Sequence, residues 1–280
     1  PICFFEASDD QAARDRRALQ RDLEHAIEAD QLFLVYQPFL DIRKGRVTGF
    51  EALLRWQHPV RGLIPPSVFI PIAEESGSIL EIGDWVLRKA CQEAVNWTQP
   101  LTVAVNVSGA QLYNANFVQD VHKVLLETGL SPRRLEIEIT ETALVRDFNR
   151  ALATLRRIKG FGVRIAMDDF GTGYSSLSYL RSFPFDKLKI DKSFVRDATA
   201  THGSKSIVRA VISLGKSLGM TTIAEGIETI EQLNHMRAEG CNEAQGFLLS
   251  HPVPVTEIAG KILELRNGFK PAVVRNAMAS

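Results

Sequence analysis

The chain has 280 residues, 45% of them hydrophobic and 24% charged, enough apolar content for a sizeable core in one large domain or two small ones. Its 33 acidic residues balance 33 basic ones, which excludes a broad electrostatic grip on polynucleotide but leaves room for a small charged ligand in a local site. Three separated cysteines (Cys3, Cys91, Cys241) without a CxxC pair argue against a disulfide framework or a thiolate zinc site, and scattered histidines without HExxH direct any metal site towards oxygen ligands.

The chain opens on PICFFEASDD, without a methionine, as expected of a module within something longer; no signal peptide is visible. No run approaches the ~18 apolar residues of a membrane span. Residues 9–30 carry Leu19, Leu23, Ala26 and Ile27 at helical spacing among many charges, predicting a leading helix that is mostly solvated. Two β-like runs follow, LFLVYQPFLDI (32–42) and VTGFEALLRW (47–56). Only RKGR separates them, too short for a parallel crossover, so these strands should be antiparallel. Beyond them, apolar runs at 101–108, 134–140, 163–169, 186–191, 220–226 and 244–250 alternate with helical patterns at 79–97, 110–128, 147–159, 204–218 and 229–239. The 79–97 segment gathers Ile79, Ile82, Val86, Ala90 and Ala94 on one face. Such alternation predicts a parallel sheet under helical cover. Eight strands in a chain of this size predict an α/β fold, a modified (β/α)8 TIM-type barrel whose departure from the regular pattern is one antiparallel strand from the N-terminal hairpin. From about Asn267 the periodicity ends, and a loosely held tail is expected.

A barrel carries its chemistry at the C-terminal ends of its strands. Those ends hold Glu51, Asn106, Glu138, Asp168 with Asp169, Lys189, Glu225 and Gln245. A single carboxylate there is usually a helix N-cap or a turn former. Seven strands ending this way are different, because carboxylates converging on one mouth repel unless cations neutralise them. In RIAMDDFGTGYSS, adjacent Asp168 and Asp169 can serve two ions about 3.5–4 Å apart, an arrangement suited to phosphate-ester hydrolysis. Competing motifs fail. DFG at Asp169–Gly171 has no HRD or glycine-rich ATP loop beside it, and GTGYSS lacks the lysine and spacing of a P-loop. The sequons at Asn96 and Asn106 are short patterns of low specificity.

Taken together, EALLRW (Glu51–Trp56), VNVSGAQL (Val105–Leu112), EITET (Glu138–Thr142), DDFGTGYSSL (Asp168–Leu177), KLKID (Lys187–Asp191), AEGIET (Ala224–Thr229) and QGF (Gln245–Phe247) resemble the EAL-domain family, over roughly residues 20–265 and in the same order. The resemblance implies a cyclic di-GMP-specific phosphodiesterase on a modified barrel. It implies metal ligation by Glu51, Asn106, Glu138, Asp168, Asp169 and Glu225, with two Mg²⁺ or Mn²⁺ ions per site and Ca²⁺ inhibitory. Lys189 would contact the attacking water, and Arg55 would meet a substrate phosphate through its fork geometry. Gln37 and Gln245 would position substrate or water, and Glu228 would support the pocket. The implied reaction is in-line attack of a metal-activated water on phosphorus, leaving linear pGpG. Gly171 and Gly173 would let the following loop couple dimer contacts to the metal site, with Glu141 anchoring it.

Two other readings stand beside this one: a receptor that binds the same nucleotide without cleaving it, and a different metal-dependent barrel enzyme. Every position that the resemblance assigns keeps its expected residue, which favours the enzyme. Residues 1–19 read as a connector from an upstream module, 20–265 as the phosphodiesterase domain and 266–280 as a tail. The opening segment resembles the connector that follows a GGDEF-type module, so a larger, homodimeric, regulated protein is expected. The expected location is the cytoplasm, with a membrane anchor allowed elsewhere in the full-length protein.

Overall fold

Asp41 reverses the chain. Its Oδ1 accepts the backbone N–H groups of Arg43 at 3.0 Å and Lys44 at 2.9 Å, a side-chain-closed turn that needs few residues. Strand β1 (Leu32–Asp41) therefore folds back on β2 (Arg46–His58) as the expected antiparallel hairpin, with Gln37 opposite Glu51. The computed structural model of the chain describes residues 7–171, 180, 182–198 and 202–268.

From β2 a short antiparallel strand, β3 (Gly62–Ile64), returns against its far end. The sheet then continues in parallel from β2 through β4 (Thr102–Asn106), β5 (Leu135–Thr140), β6 (Arg164–Phe170), β7 (Lys187–Ile190) and β8 (Thr221–Ala224) to β9 (Glu243–Ala244). Strand β9 pairs antiparallel with β1, which closes eight strands into a barrel. Strand β1 is thus antiparallel to both its neighbours, and the α/β barrel with one inverted strand is the fold expected from the short hairpin link.

Helices at Ile79–Val95, Phe117–Thr128, Phe148–Gly160, His202–Ser217 and Ile230–Glu239 alternate with the strands as the periodicity predicted. The first of these buries Ile79, Ile82, Val86, Ala90 and Ala94, as its spacing required. Several elements differ from expectation. The segment 110–128 divides into Gly109–Leu112 and Phe117–Thr128, because Asn114 Oδ1 accepts the Asn116 amide at 3.0 Å and diverts the backbone between them. The leading helix, Ala7–Glu24, buries Leu19 and Leu23 in the main core and is more than a solvated connector. The helix Pro66–Ser76 was not expected from its proline-rich sequence, although Pro66 occupies a first-turn position that needs no N–H donor. No helix among the described residues is long and apolar enough to cross a membrane.

Candidate active site

Successive strand residues face opposite sides, so each barrel strand sends every second side chain inward. On β5, Leu135, Ile137 and Ile139 pack outward in the apolar core while Glu136 and Glu138 occupy the interior. The same period places Glu51 on β2, Asn106 at the end of β4, Asp168 on β6 and Lys189 on β7 around one mouth.

Lys189 is the hub. Its Nζ lies 2.6 Å from Glu138 Oε2, 2.8 Å from Glu225 Oε1, 3.1 Å from Asp168 Oδ2 and 3.9 Å from Glu51 Oε1. Glu51 is gripped from the other side, accepting Asn106 Nδ2 and Gln245 Nε2, each at 2.6 Å. Gln245 Nε2 also reaches Gln37 Oε1 at 3.1 Å, and Gln37 donates to the Ser250 carbonyl at 3.1 Å.

Two adjacent aspartates cannot both serve one site from a regular strand, since one would point away. Here the alternation breaks. The β6–β7 register shifts between Met167 and Phe170, and Asp169 takes a left-handed φ of +53°. A bulge with a left-handed residue re-aims a side chain. Carboxylate oxygens of Asp168, Asp169 and Glu225 consequently lie within 4.8 Å of one another.

The electrostatics follow from burial. Burial pushes Glu138 well above the ordinary carboxylate range; Lys189 opposes this, while Glu51 and Asp168 reinforce it. Glu225 is pushed up to about 8, first by burial, against the pull of Lys189 and with repulsion from Asp168 and Glu51. Asp169 is raised by burial and then by neighbouring Asp168 and Asp191. Glu51 alone goes down: burial would raise it, but Lys189, Gln245 and Asn106 together outweigh that. Burial opposes the charge on Lys189, yet Glu138, Glu225, Glu51 and Asp168 hold its pKa well above the ordinary lysine value.

Five carboxylates thus face one ammonium. This surplus of acidic groups, all hard-oxygen donors, fits divalent cations, whose charge would favour their ionised forms. Glu138 Oε1, buried without a hydrogen-bond partner among the described residues, is the kind of donor such an ion would satisfy.

Two glycines hold the exits. A Cβ on Gly246 would lie 2.2 Å from the Ile227 carbonyl oxygen, so the turn after Gln245 closes only without one. Gly226, after Glu225, has φ +64° and would bring a Cβ within 2.5 Å of Lys192 Cβ. Beside the carboxylates a cavity of about 580 Å³ opens, lined by Arg55, Asn106, Glu138, Tyr113 and Arg146 among others. Arg55 is half-buried on its wall, its Nη1 donating to the Leu54 carbonyl at 2.8 Å, and burial lowers its pKa against the pull of Glu51.

The structure brings together Gln37, Glu51, Asn106, Glu138, Asp168, Asp169, Lys189, Glu225 and Gln245, with Arg55 at the edge. It does not bring Glu228 in: that residue is exposed, and its amide bonds Gln232 Oε1 at 2.7 Å. Glu141 is buried at the start of the helix Glu141–Val145. Its expected grip on the loop from Gly171, Gly173 included, falls on residues 172–179, outside the described ones. Sequence reasoning passed over Glu136, Lys187 and Glu243, which lie inside the barrel below the mouth. The signal was present, since each precedes a candidate residue by two positions on the same strand face.

Comparison with known proteins places this geometry. A family model described as EAL domain matches residues 20–252. An "Uncharacterized signaling protein" of Caulobacter vibrioides is 55% identical over 252 residues, 90% of this chain and 31% of the relative. The "Bifunctional diguanylate cyclase/cyclic di-GMP phosphodiesterase MucR" of Pseudomonas aeruginosa is 41% identical over 264 residues, 93% of this chain and 38% of the relative. From the same organism, "Cyclic di-GMP phosphodiesterase NbdA" is 41% identical, covering 86% of this chain and 31% of that protein. The chain therefore spans between 31% and 38% of the length of these three relatives. Among solved structures, "PaMucR Phosphodiesterase, c-di-GMP complex" matches with a TM-score of 0.83 and 42% identity, covering 86% of this chain and 99% of that one. The EAL enzyme Bd1971, in its cAMP and cyclic-di-GMP bound form, matches with a TM-score of 0.85 and 31% identity, covering 91% of this chain and 71% of that one.

Proposed function

The chain belongs to the EAL domain family, and from that premise we propose that it is a metal-dependent phosphodiesterase that cleaves cyclic di-GMP to linear pGpG. One observation carries the reading: five carboxylates, an asparagine amide and a buried lysine converge at the barrel mouth beside a cavity open to Arg55. Relatives whose names include cyclic di-GMP phosphodiesterase activity support the choice of substrate.

In this reading Glu51, Asn106, Glu138, Asp168, Asp169 and Glu225 hold two Mg²⁺ or Mn²⁺ ions. Bound there, such ions supply an activated water and neutralise charge building on the phosphoryl oxygens. Lys189, held protonated by its carboxylate partners, is a fixed donor beside the attacking oxygen. Arg55 stays charged despite its burial and offers a planar fork to a substrate phosphate. Gln37 and Gln245 fix the orientation of Glu51 through their amide chain. Attack in line with the 3′-oxygen then opens the cyclic dinucleotide. Glu141 supports the aspartates through the loop that follows them. The greater length of the relatives, one of them named a bifunctional diguanylate cyclase/cyclic di-GMP phosphodiesterase, supports a larger protein with an upstream module of GGDEF type, and a homodimeric assembly belongs to the same proposal.

The test is incubation of the purified chain with cyclic di-GMP and Mg²⁺ or Mn²⁺, followed by mass spectrometry. Linear pGpG is expected with either ion and none after exhaustive chelation. Intact substrate under both ions, with the nucleotide bound, would assign the chain a receptor role instead.

A further inference from the structure

Directly beneath the candidate site lies a second charged layer. Lys187 Nζ is 2.8 Å from Glu136 Oε1 and 2.9 Å from Glu243 Oε2, and 4.3 Å from the centre of the Phe39 ring. All four residues are buried, so this layer is sealed inside the barrel. Its members share strands with the site above: Glu136 precedes Glu138 on β5, Lys187 precedes Lys189 on β7, and Glu243 precedes Gln245 at β9. Lys187 reaches across β6, where small Ala166 stands opposite it, and across β8. One side chain thereby ties three alternate strands.

The tie matters most at β9. This strand has two residues, with two register pairs to β8 and two to β1, whereas β5 has six residues paired on both sides. A one-residue slip would turn Glu243 out of the barrel and carry Gln245 with it. Gln245 is the residue that hands Glu51 one of its two amide bonds.

We propose that Lys187, with Glu136 and Glu243, is a positioning layer that fixes the register of β9 and so aims Gln245 and Glu51 into the site. The proposal rests on the reading of that site as a divalent-metal centre for cyclic di-GMP cleavage.

Glu243→Gln keeps the shape, leaves Lys187 paired with Glu136 and replaces the ionic tie to β9 by at most a neutral hydrogen bond. Expected are an approximately tenfold weaker Mn²⁺ affinity by calorimetry and a comparable fall in kcat, the usual scale for groups that orient metal ligands. The KM for cyclic di-GMP should stay within about twofold, since Arg55, the contact proposed for the substrate phosphate, is untouched. Hydrogen exchange in a peptide spanning 242–249 should quicken in the ion-free protein. Glu243→Asp, which keeps the charge, should restore most of each property. Glu136→Gln should weaken Mn²⁺ less than Glu243→Gln, because the ladder on both sides of β5 already holds its register. A merely structural layer would lower the melting temperature of both Gln variants and leave the Mn²⁺ affinity of the folded protein unchanged. That result, or unchanged exchange at 242–249 in Glu243→Gln or, if that variant does not fold, in Glu243→Ala, overturns the proposal. If wild type binds Mn²⁺ but cleaves nothing, the functional reading falls while the affinity comparison still decides the positioning. If wild type binds no Mn²⁺, the exchange comparison decides it alone.

Discussion

Gly246 and Glu51 sit at two ends of one chain of contacts. Gly246 lets the backbone after Gln245 approach Ile227, and Gln245 then holds Glu51 at 2.6 Å. Gly246→Ala should therefore destabilise the fold by about 1–3 kcal/mol in urea titrations, the range for overpacking, and should reduce turnover as well. Glu51→Ala is the contrasting case. It removes a proposed metal ligand, and the repulsion it relieves offsets part of the two amide bonds it loses, so turnover should fall to background while the melting temperature changes little. Retained wild-type turnover in this variant would place the active centre elsewhere. At this scale the sequence was legible where position alone mattered: strand-end carboxylates were visible as candidates. It was silent on how neighbours Asp168 and Asp169 could face one site, because the left-handed φ of +53° at Asp169 and the bulge beside it arise from pairing with β7. Nor do the raised pKa values of Glu138 and Glu225 follow from residue type; they come from burial against neighbours distant in the chain.

The elements divide in the same way. The inverted β1 was readable because four residues cannot span a parallel crossover, a purely geometric limit. The split of 110–128 was not, since it depends on an Asn114 side chain competing with the helix for the Asn116 amide. The leading helix shows a third situation. Its charges suggested a solvated connector, yet Leu19 and Leu23 join the main core, and Asp22 Oδ2 meets His58 Nε2 at 3.2 Å while Gln31, just beyond, accepts Trp56 Nε1 at 3.0 Å. Leu23→Ala should accordingly cost about 2–5 kcal/mol of stability, the usual price of emptying a buried leucine site, measured by urea denaturation. A loss below about 0.5 kcal/mol would return the helix to the role of a loosely attached connector.

Across the whole molecule, closure of the barrel isolates groups that sequence alone leaves undetermined. Cys91 and Cys241 are buried, and burial pushes their thiols up to about 12 and about 11 respectively. At pH 8 neither should react with iodoacetamide in the folded protein, and both should react in denaturant, as read by peptide mass spectrometry. Because unfolded thiols ionise first, near 9.0, each contributes stability present in full below that pH and lost as pH rises towards 11 to 12. At the barrel mouth, closure gathers the carboxylates of five strand-end residues around the Lys189 ammonium. There Asp168, Asp169 and Glu225, with Glu51, Asn106 and Glu138, form the proposed site for two divalent ions. Anomalous diffraction from crystals grown with Mn²⁺ tests this most directly. Two peaks about 3.5–4 Å apart are expected, between the Asp168–Asp169 pair and the carboxylates of Glu51, Glu138 and Glu225. Well-ordered carboxylates with no anomalous peak among them at saturating Mn²⁺, or peaks only outside the barrel mouth, would contradict it.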